Sequence, residues 1–401
     1  MKILYKIYKK IWNSNSNRFS YLIKKISLIS ISMGLFSIII SSFILNGFKA
    51  AITDKIYDFS GHFIISNYSN GLSFKNSPID ISKGIYSNYK NDEEINSAYP
   101  FILSSALVQA DKKEIEGVIF KGIQSDYLDN ISSHLININD YYDIEKEIII
   151  SSYLIEKLSV NLNDTLILFF PNDPPVFRKL KIGGVYQTGL EEIDNSIIFG
   201  DINLCRKIYS WETNLASGIN VFVKNPDKIN SYLTSLKKIS SYNEYIESTN
   251  SRYIQLFDWL SLLDKNVIIF FLIVVFVACF NIVSIILILI MDKTQLIGTL
   301  KSFGTKNKII HSIFFRVGLR ISIYGMIIGN FLSLATVFIQ NEFKLFKLDK
   351  TNYYVDYIPL DIEISSLIFI NVLMILMMLI SIYIPIFFIQ RINVINSIKF
   401  S

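Results

Sequence analysis

Gly298, Gly304, Thr305 and Lys306 are the nearest this chain comes to a phosphate-binding loop. Such a loop needs glycines spaced so that backbone N–H groups cradle phosphate oxygens, with Gly-Lys-Ser/Thr opening a helix after a strand. Here both spacing and residue order are wrong, and no strand precedes. His62, His134 and His311 stand apart from one another, and no His-Glu-x-x-His or Cys-x-x-Cys supplies the paired ligands that zinc requires. No Gly-x-Ser-x-Gly elbow presents a nucleophile. The long apolar stretches hold no Asp or Glu of the kind that relays ions through a membrane. The residues offer no catalytic group, no metal site and no energy source, so work done by this chain must be powered by something else.

The elements that carry the chain are mainly apolar. Of 401 residues, 51% are hydrophobic and the mean hydropathy is +0.38, which suggests membrane spans. The excess lies in four charge-free stretches, 26–45, 266–291, 321–340 and 364–390. Each reaches the roughly 20 residues with which a helix crosses about 30 Å of hydrocarbon. The first is expected to be retained, because its run exceeds the roughly 7–15 residues of a signal peptide and "LNGFKAAITDK" is a poor cleavage site. Residues 1–25 carry seven Lys/Arg and no acid, and residues 292–320 carry six against one acid. Segment 49–263 instead holds 20 basic and 27 acidic side chains, and loop 341–363 three and five. Basic short loops stay in the cytoplasm, so both termini and the 292–320 loop are expected inside and 49–263 outside. The net charge of +5 is therefore a topology signal and gives no reason to expect nucleic acid.

The expected fold class is an α-helical membrane protein with four transmembrane helices and a large α+β extracytoplasmic domain between helices 1 and 2. Its parts are an amphipathic inner segment 1–25, helix 1 at 26–48, the outer domain 49–263, and a stalk end with helix 2 at 264–291. An inner loop 292–315, helix 3 at 316–340, an outer loop 341–363, helix 4 at 364–390 and an inner tail 391–401 follow. In the outer domain, 61–68, 116–123, 147–151, 164–170, 178–187, 195–200 and 218–225 predict strands, being rich in Ile, Val, Phe and Tyr between Gly, Asn or Asp. Segments 151–159, 201–210 and 227–239 predict helices. Cys205 and Cys279 fall in different compartments, so the outer domain holds together without an internal disulfide. From 253 to 266 the apolar pattern runs into the second span without Gly or Pro, which predicts one long helix. At the start of the chain, Ile3, Ile7 and Ile11 among lysines predict a helix lying on the inner membrane surface.

The segment "MDKTQLIGTLKSFGTKNKII" (291–310) is short, basic and partly apolar. Leu296, Ile297, Leu300 and Phe303 fall on one helix face, with Gly304 placed to end the helix. Such a face predicts a coupling helix that docks into a groove on a cytoplasmic partner. At this point the chain resembles the FtsX-like permeases of ABC transporters, and within them the lipoprotein-releasing LolC/LolE permeases. The resemblance runs in order through "ISISMGLFSIIISSFILNGFKAAITDKIYDFSGHFIISNY" (29–68), "EIIISSYLIEKLSVNLNDTLILFFP" and "GGVYQTGLEEIDNSIIFGDI". It continues in "WLSLLDKNVIIFF", "FNIVSIILILIMDKTQLIGTLKSFGT" and "KLDKTNYYVDYIPLDI".

The resemblance implies a machine of paired permease chains, either a homodimer or this chain with a paralogue. Cytoplasmic ABC ATPase subunits would carry ATP and Mg, with no cofactor on this chain. A lipoprotein substrate would leave the inner membrane for a periplasmic lipoprotein carrier. The implied coupling residues are Asp292, Lys293, Gln295, Leu296, Ile297, Gly298, Leu300, Lys301, Phe303 and Gly304. Many family members have a further acid where Leu296 stands here. Met33, Phe36, Ile40 and Phe43 on the first span, with Phe270, Val274 and Val277 on the second, are expected to line a cavity for acyl chains. Pro171, Asn172, Asp173, Pro174 and Pro175 form a stiffened loop that could hold the carrier. The alternative within the family is a mechanical role of the FtsX or MacB type, acting on a periplasmic partner or in efflux.

Overall fold

The computed structural model describes residues 18–68, 77–110, 115–139, 142–348 and 355–387. The helix expected around Ile3, Ile7 and Ile11 and the tail 391–401 lie outside these residues. Helices of seven residues or more are α1 (Arg18–Ser60), α2 (Ser152–Leu158), α3 (Ile202–Tyr209), α4 (Ile229–Ile239), α5 (Ile254–Asp292), α6 (Thr294–Ser302), α7 (Asn307–Phe343) and α8 (Ile364–Phe387). The chain divides into a helical unit, residues 1–49, 259–348 and 357–401, and an α+β unit, residues 50–258 with 349–356.

In the helical unit, α1, α5, α7 and α8 are each long and apolar enough to cross a membrane. As expected, α5 runs unbroken from Ile254 to Asp292. Helix α1 extends well past the expected 26–48, because no residue with a forbidden backbone angle interrupts it before Gly61, whose φ is +71°. The bundle core is built from Ile31, Leu35 and Ile39 of α1, Ile282 and Ile286 of α5, Val317 and Ile321 of α7, and Met378 and Ile382 of α8. Between membrane helices burial in lipid offers little drive, so close approach and polar contacts decide the packing. Gly325 and Gly329 of α7 supply the approach. A Cβ at Gly325 would lie 2.7 Å from Ile31 Cγ2, and one at Gly329 2.8 Å from the Ser32 carbonyl oxygen. Asn330 and Asn371 exchange amide hydrogen bonds of 2.8 and 3.0 Å between α7 and α8. At the end of the bundle away from α6, Lys49 pairs with Asp264 at 2.8 Å and Asn46 donates to Glu363 at 2.9 Å. Hydroxyls of Ser365 and Ser366, with Asn46, hold the Glu363 carboxyl below the usual range.

The described residues of the α+β unit form twelve strands: β1 (Phe63–Asn67), β2 (Ile79–Asp80), β3 (Ile95–Gln109), β4 (Ile115–Ile123), β5 (Leu135–Ile138), β6 (Glu147–Ser151), β7 (Thr165–Phe170), β8 (Val176–Tyr186), β9 (Ile197–Asp201), β10 (Leu215–Ala216), β11 (Gly218–Val223) and β12 (Glu244–Ser248). Ten of them form one sheet in the order β12-β1-β11-β3-β4-β9-β6-β8-β5, and β7 pairs with both β3 and β8. The ring β3-β4-β9-β6-β8-β7 thus closes on itself. It is filled by Ile102, Val108, Phe120, Ile150, Leu168 and Ile182, and α2 and α3 add Leu154, Leu158 and Cys205 to the same core. A second core, with Phe63, Ile65, Ile219 and Val221 on one side and Tyr232 and Leu236 of α4 on the other, backs the extension β11-β1-β12.

His62 lies at that extension, 8% exposed, with its Nδ1 accepting from the Val223 N–H at 3.2 Å. This bond needs an unprotonated Nδ1. Burial pushes the imidazole from 6.5 down to about 4, opposed by nearby Asp58. A folded pKa below the unfolded one means that the contribution is complete above pH 6.5 and is lost as pH falls towards 4. The full-length protein is therefore expected to lose up to about 3 kcal/mol of stability over that interval. Thermal unfolding at pH 7, 5.5 and 4 checks this, and His62→Gln should flatten the dependence.

Candidate functional site

The basic segment after α5 folds as α6, with Phe303 as its C-cap and Gly304 following at φ +73°. The Gly304 N–H donates to the Lys301 carbonyl and the Thr305 N–H to the Leu300 carbonyl, both at 3.0 Å, which closes the helix in a Schellman arrangement. Asp292 and Lys293 pair at 2.8 Å, both largely buried. Ile297 and Gly298 are buried, and Leu296 and Leu300 pack against the bundle core. Phe303 is 82% exposed, and Gln295 and Gly304 are also exposed, with Lys301 half-buried.

This corrects the expected single docking face. Three of its four apolar residues fasten α6 to the chain's own bundle, and only Phe303 is presented outward. The reason is area: burying a Leu or Ile side chain stabilises by about 1.5–3 kcal/mol, and the bundle is the nearest apolar surface.

The seven expected cavity residues are likewise dispersed. Phe43 is fully buried, Ile40 and Val274 pack against the bundle core, and Phe36 is half-buried. Met33, Phe270 and Val277 are 50%, 42% and 51% exposed. Only Phe270 reaches the crevice of about 150 Å³ that this chain leaves between α1, α5 and α8, beside Ser41, Ser42 and Ser366. Within one chain the seven do not line a common cavity, because helices α1 and α5 meet there, with Val274 against Gly34.

Pro171, Asn172, Asp173, Pro174 and Pro175 form the five-residue turn between β7 and β8, whose pairing runs up to Phe170 opposite Val176. Four of them are exposed, and Asn172 is tied back by its amide to the Ile208 carbonyl at 3.1 Å.

A polar network in the α+β unit was not anticipated. It gathers around residues 55–61, the last turn of α1 and the glycine that follows it. Lys121 of β4, 6% exposed, donates to the Phe59 carbonyl at 2.7 Å, and Tyr127 donates to the same oxygen at 2.6 Å. Helix C-termini leave such carbonyls without partners and favour a cation. Burial pushes the Lys121 ammonium down to about 7. His134 Nε2 lies 2.9 Å from the Asp58 carboxylate, and Lys55 donates to the Thr188 carbonyl at 2.7 Å. Thr249 Oγ1 donates to the Gly61 carbonyl at 2.6 Å.

Thr188 belongs to "YQTGLEEIDN" (186–195), where the buried Asp194 carboxylate accepts from Thr188 Oγ1 and the Gly189 N–H, each at 2.8 Å, and from the Thr188 N–H. Tyr186 Oη donates to the Ile193 and Ile197 carbonyls. The one sequence signal for this network was a lysine inside the apolar strand "EGVIFKGI". Among the described residues, no three His, Cys, Asp or Glu side chains are grouped to hold a metal.

Residues 268–394 match the FtsX-like permease C-terminal family model. That stretch takes in most of α5, the capped helix α6, α7 and α8. This part of the chain is similar to the FtsX-like permeases. The chain's similarity to curated relatives extends over the α+β unit as well. It is 26% identical to the lipoprotein-releasing system transmembrane protein LolC of Buchnera aphidicola subsp. Schizaphis graminum, covering 94% of each chain. It is 27% identical to LolC of Buchnera aphidicola subsp. Acyrthosiphon pisum, over 94% of this chain and 93% of that one. To LolE of Haemophilus influenzae it is 25% identical over 88% of each. In the described part of the bundle, α6 is the one basic helix that stands apart from the four spans.

Proposed function

We propose that this chain is an FtsX-like permease, the membrane subunit of an ABC transporter that extracts lipoproteins from the inner membrane and passes them to a periplasmic carrier. A separate cytoplasmic ATPase subunit supplies the energy. The observation that carries this reading is similarity to LolC over 94% and to LolE over 88% of the chain, combined with a capped basic helix packed on the span bundle. In this reading segment 292–304 is the ATPase contact. Its anchoring residues are Leu296, Ile297 and Leu300, and its contact residues are Gln295 and Phe303. Met33, Phe270 and Val277 face the second permease chain or the acyl chains between the two, and the 171–175 turn faces the carrier. In this reading both termini and α6 lie in the cytoplasm and the α+β unit in the periplasm, which the distribution of basic residues supports.

Two experiments test it. A cysteine at Ser132 should react with a membrane-impermeant thiol reagent in spheroplasts and one at Ser302 should not; the reverse pattern overturns the orientation. Proteoliposomes holding the permease pair, the ATPase and an acylated lipoprotein should release that lipoprotein to the soluble carrier only with ATP. ATP hydrolysis at a full rate without release would favour a mechanical role of the FtsX or MacB type.

A further inference from the structure

Between α7 and α8 lies a cavity of about 520 Å³, within the roughly 300–1,000 Å³ that ligand sites occupy. Leu319, Ile323, Met326 and Ile327 face Ile375 and Met378 across it. Ile323, Ile327 and Ile375 are 47%, 58% and 45% exposed, so the cavity opens on the apolar outer surface of the bundle. Its wall also contains Ser322, only 3% exposed, whose Oγ has no hydrogen-bond partner among the described residues. That is unusual for a helical serine, which ordinarily bonds to a carbonyl of its own preceding turn. Ser333 and Ser381 do so here, to Gly329 at 2.9 Å and Met377 at 2.8 Å. At the other end, the Asn330 amide is already engaged by Asn371 and the Met326 carbonyl. The cavity thus has one buried donor near one end and is otherwise apolar.

Its length and flanking charge identify an occupant. Leu319 to Asn330 spans about 16 Å along the helix, roughly half of a 30 Å hydrocarbon layer and so one leaflet. One turn before Leu319, on the same face of α7, stands Arg316, exposed and without an ion pair among the described residues. The face therefore presents a cation, then a hydroxyl donor, then an apolar slot. A phospholipid presents phosphate, ester carbonyl and acyl chain in the same order.

We propose that the α7–α8 cavity binds a phospholipid of the leaflet facing the basic 292–320 loop, with Ser322 donating to an ester carbonyl and Arg316 facing the phosphate. This site is separate from the cargo path, and it stands whether or not the cargo is a lipoprotein. A lipid seated here is a structural ligand that stabilises the α7–α8 pair.

The test uses the full-length permease with its partner subunits in vesicles containing phosphatidylglycerol with a photoreactive group midway along one acyl chain. Labelled peptides should concentrate in 319–330 and 375–382, relative to Phe276 and Phe280 of α5, which are as exposed to lipid. Ile327→Trp, at the exposed rim, should block the slot and remove this excess while the protein remains folded. Ser322→Ala should weaken retention about fivefold, the equivalent of one hydrogen bond. Even labelling of all lipid-facing helices, or an excess unchanged by Ile327→Trp, would overturn the proposal. So would crosslinking of Ile327→Cys to a second permease copy, or displacement of the label by acylated lipoprotein.

Discussion

Phe303→Asp should abolish co-purification of the ATPase subunit while leaving the permease folded and inserted. Phe303 is 82% exposed at the C-cap of α6, so its replacement disturbs no packing within this chain. An aromatic anchor at the centre of a protein interface commonly contributes 2 kcal/mol or more, so affinity should fall at least about thirtyfold. Leu300→Asp should behave differently. It would place a charge against the bundle core, and an uncompensated buried charge costs several kcal/mol, so that variant should be poorly expressed or lack its normal melting transition. Detergent extraction followed by quantification of bound ATPase separates the two. Undiminished ATPase association in Phe303→Asp would remove α6 as the docking element.

Asp194→Ala should be the most destabilising single change in the α+β unit. It would strand the Thr188 and Gly189 N–H groups and the Thr188 hydroxyl in a buried loop, at about 3 kcal/mol or more. For a unit of this size that corresponds to a loss of roughly 6–12 °C in melting temperature. The effect should reach α1, because the Thr188 carbonyl accepts from Lys55. Asp194→Asn, which keeps one acceptor oxygen, should lose about half as much. A melting curve for Asp194→Ala within 2 °C of the parent, a margin of about 1 kcal/mol, would contradict the role assigned to this carboxylate.

How much of this was legible beforehand depended on whether the deciding force was local. The seven expected strands all form, with no end displaced by more than two residues, because runs such as "EIIIS" and "DTLILFF" are apolar between clear turn residues. The longest strand, β3, was not foreseen, since Pro100 and Ser104–Ser105 interrupt its pattern. Pro100 is tolerated because β3 there has only β11 as a neighbour, opposite Ile219; pairing with β4 begins at Ile102. The short strands β5 and β12 at the two edges also lacked a signal.

The candidate site was less legible. The periodicity of Leu296, Ile297, Leu300 and Phe303 was right, but a helix wheel does not say which neighbour the apolar side meets. His134 was isolated in sequence and is paired in space with Asp58, a contact across 76 residues that spacing rules do not reach.

The glycine seam between α7 and α1 constrains how this bundle can change shape. At Gly325 and Gly329 α7 brings no side chain of its own to the contact, and at Gly329 it meets the Ser32 backbone carbonyl directly. Sliding one along the other would drive Ile31 and Leu35 of α1 out of the two notches that the glycines leave. Helices α1 and α7 therefore behave kinematically as a single body. Joints lie instead where only side-chain tips meet, as Ile286 Cδ1 and the Ile382 Cγ atoms do at Gly318. A stroke delivered to this chain is accommodated by α5 and α8 shifting about that fixed pair.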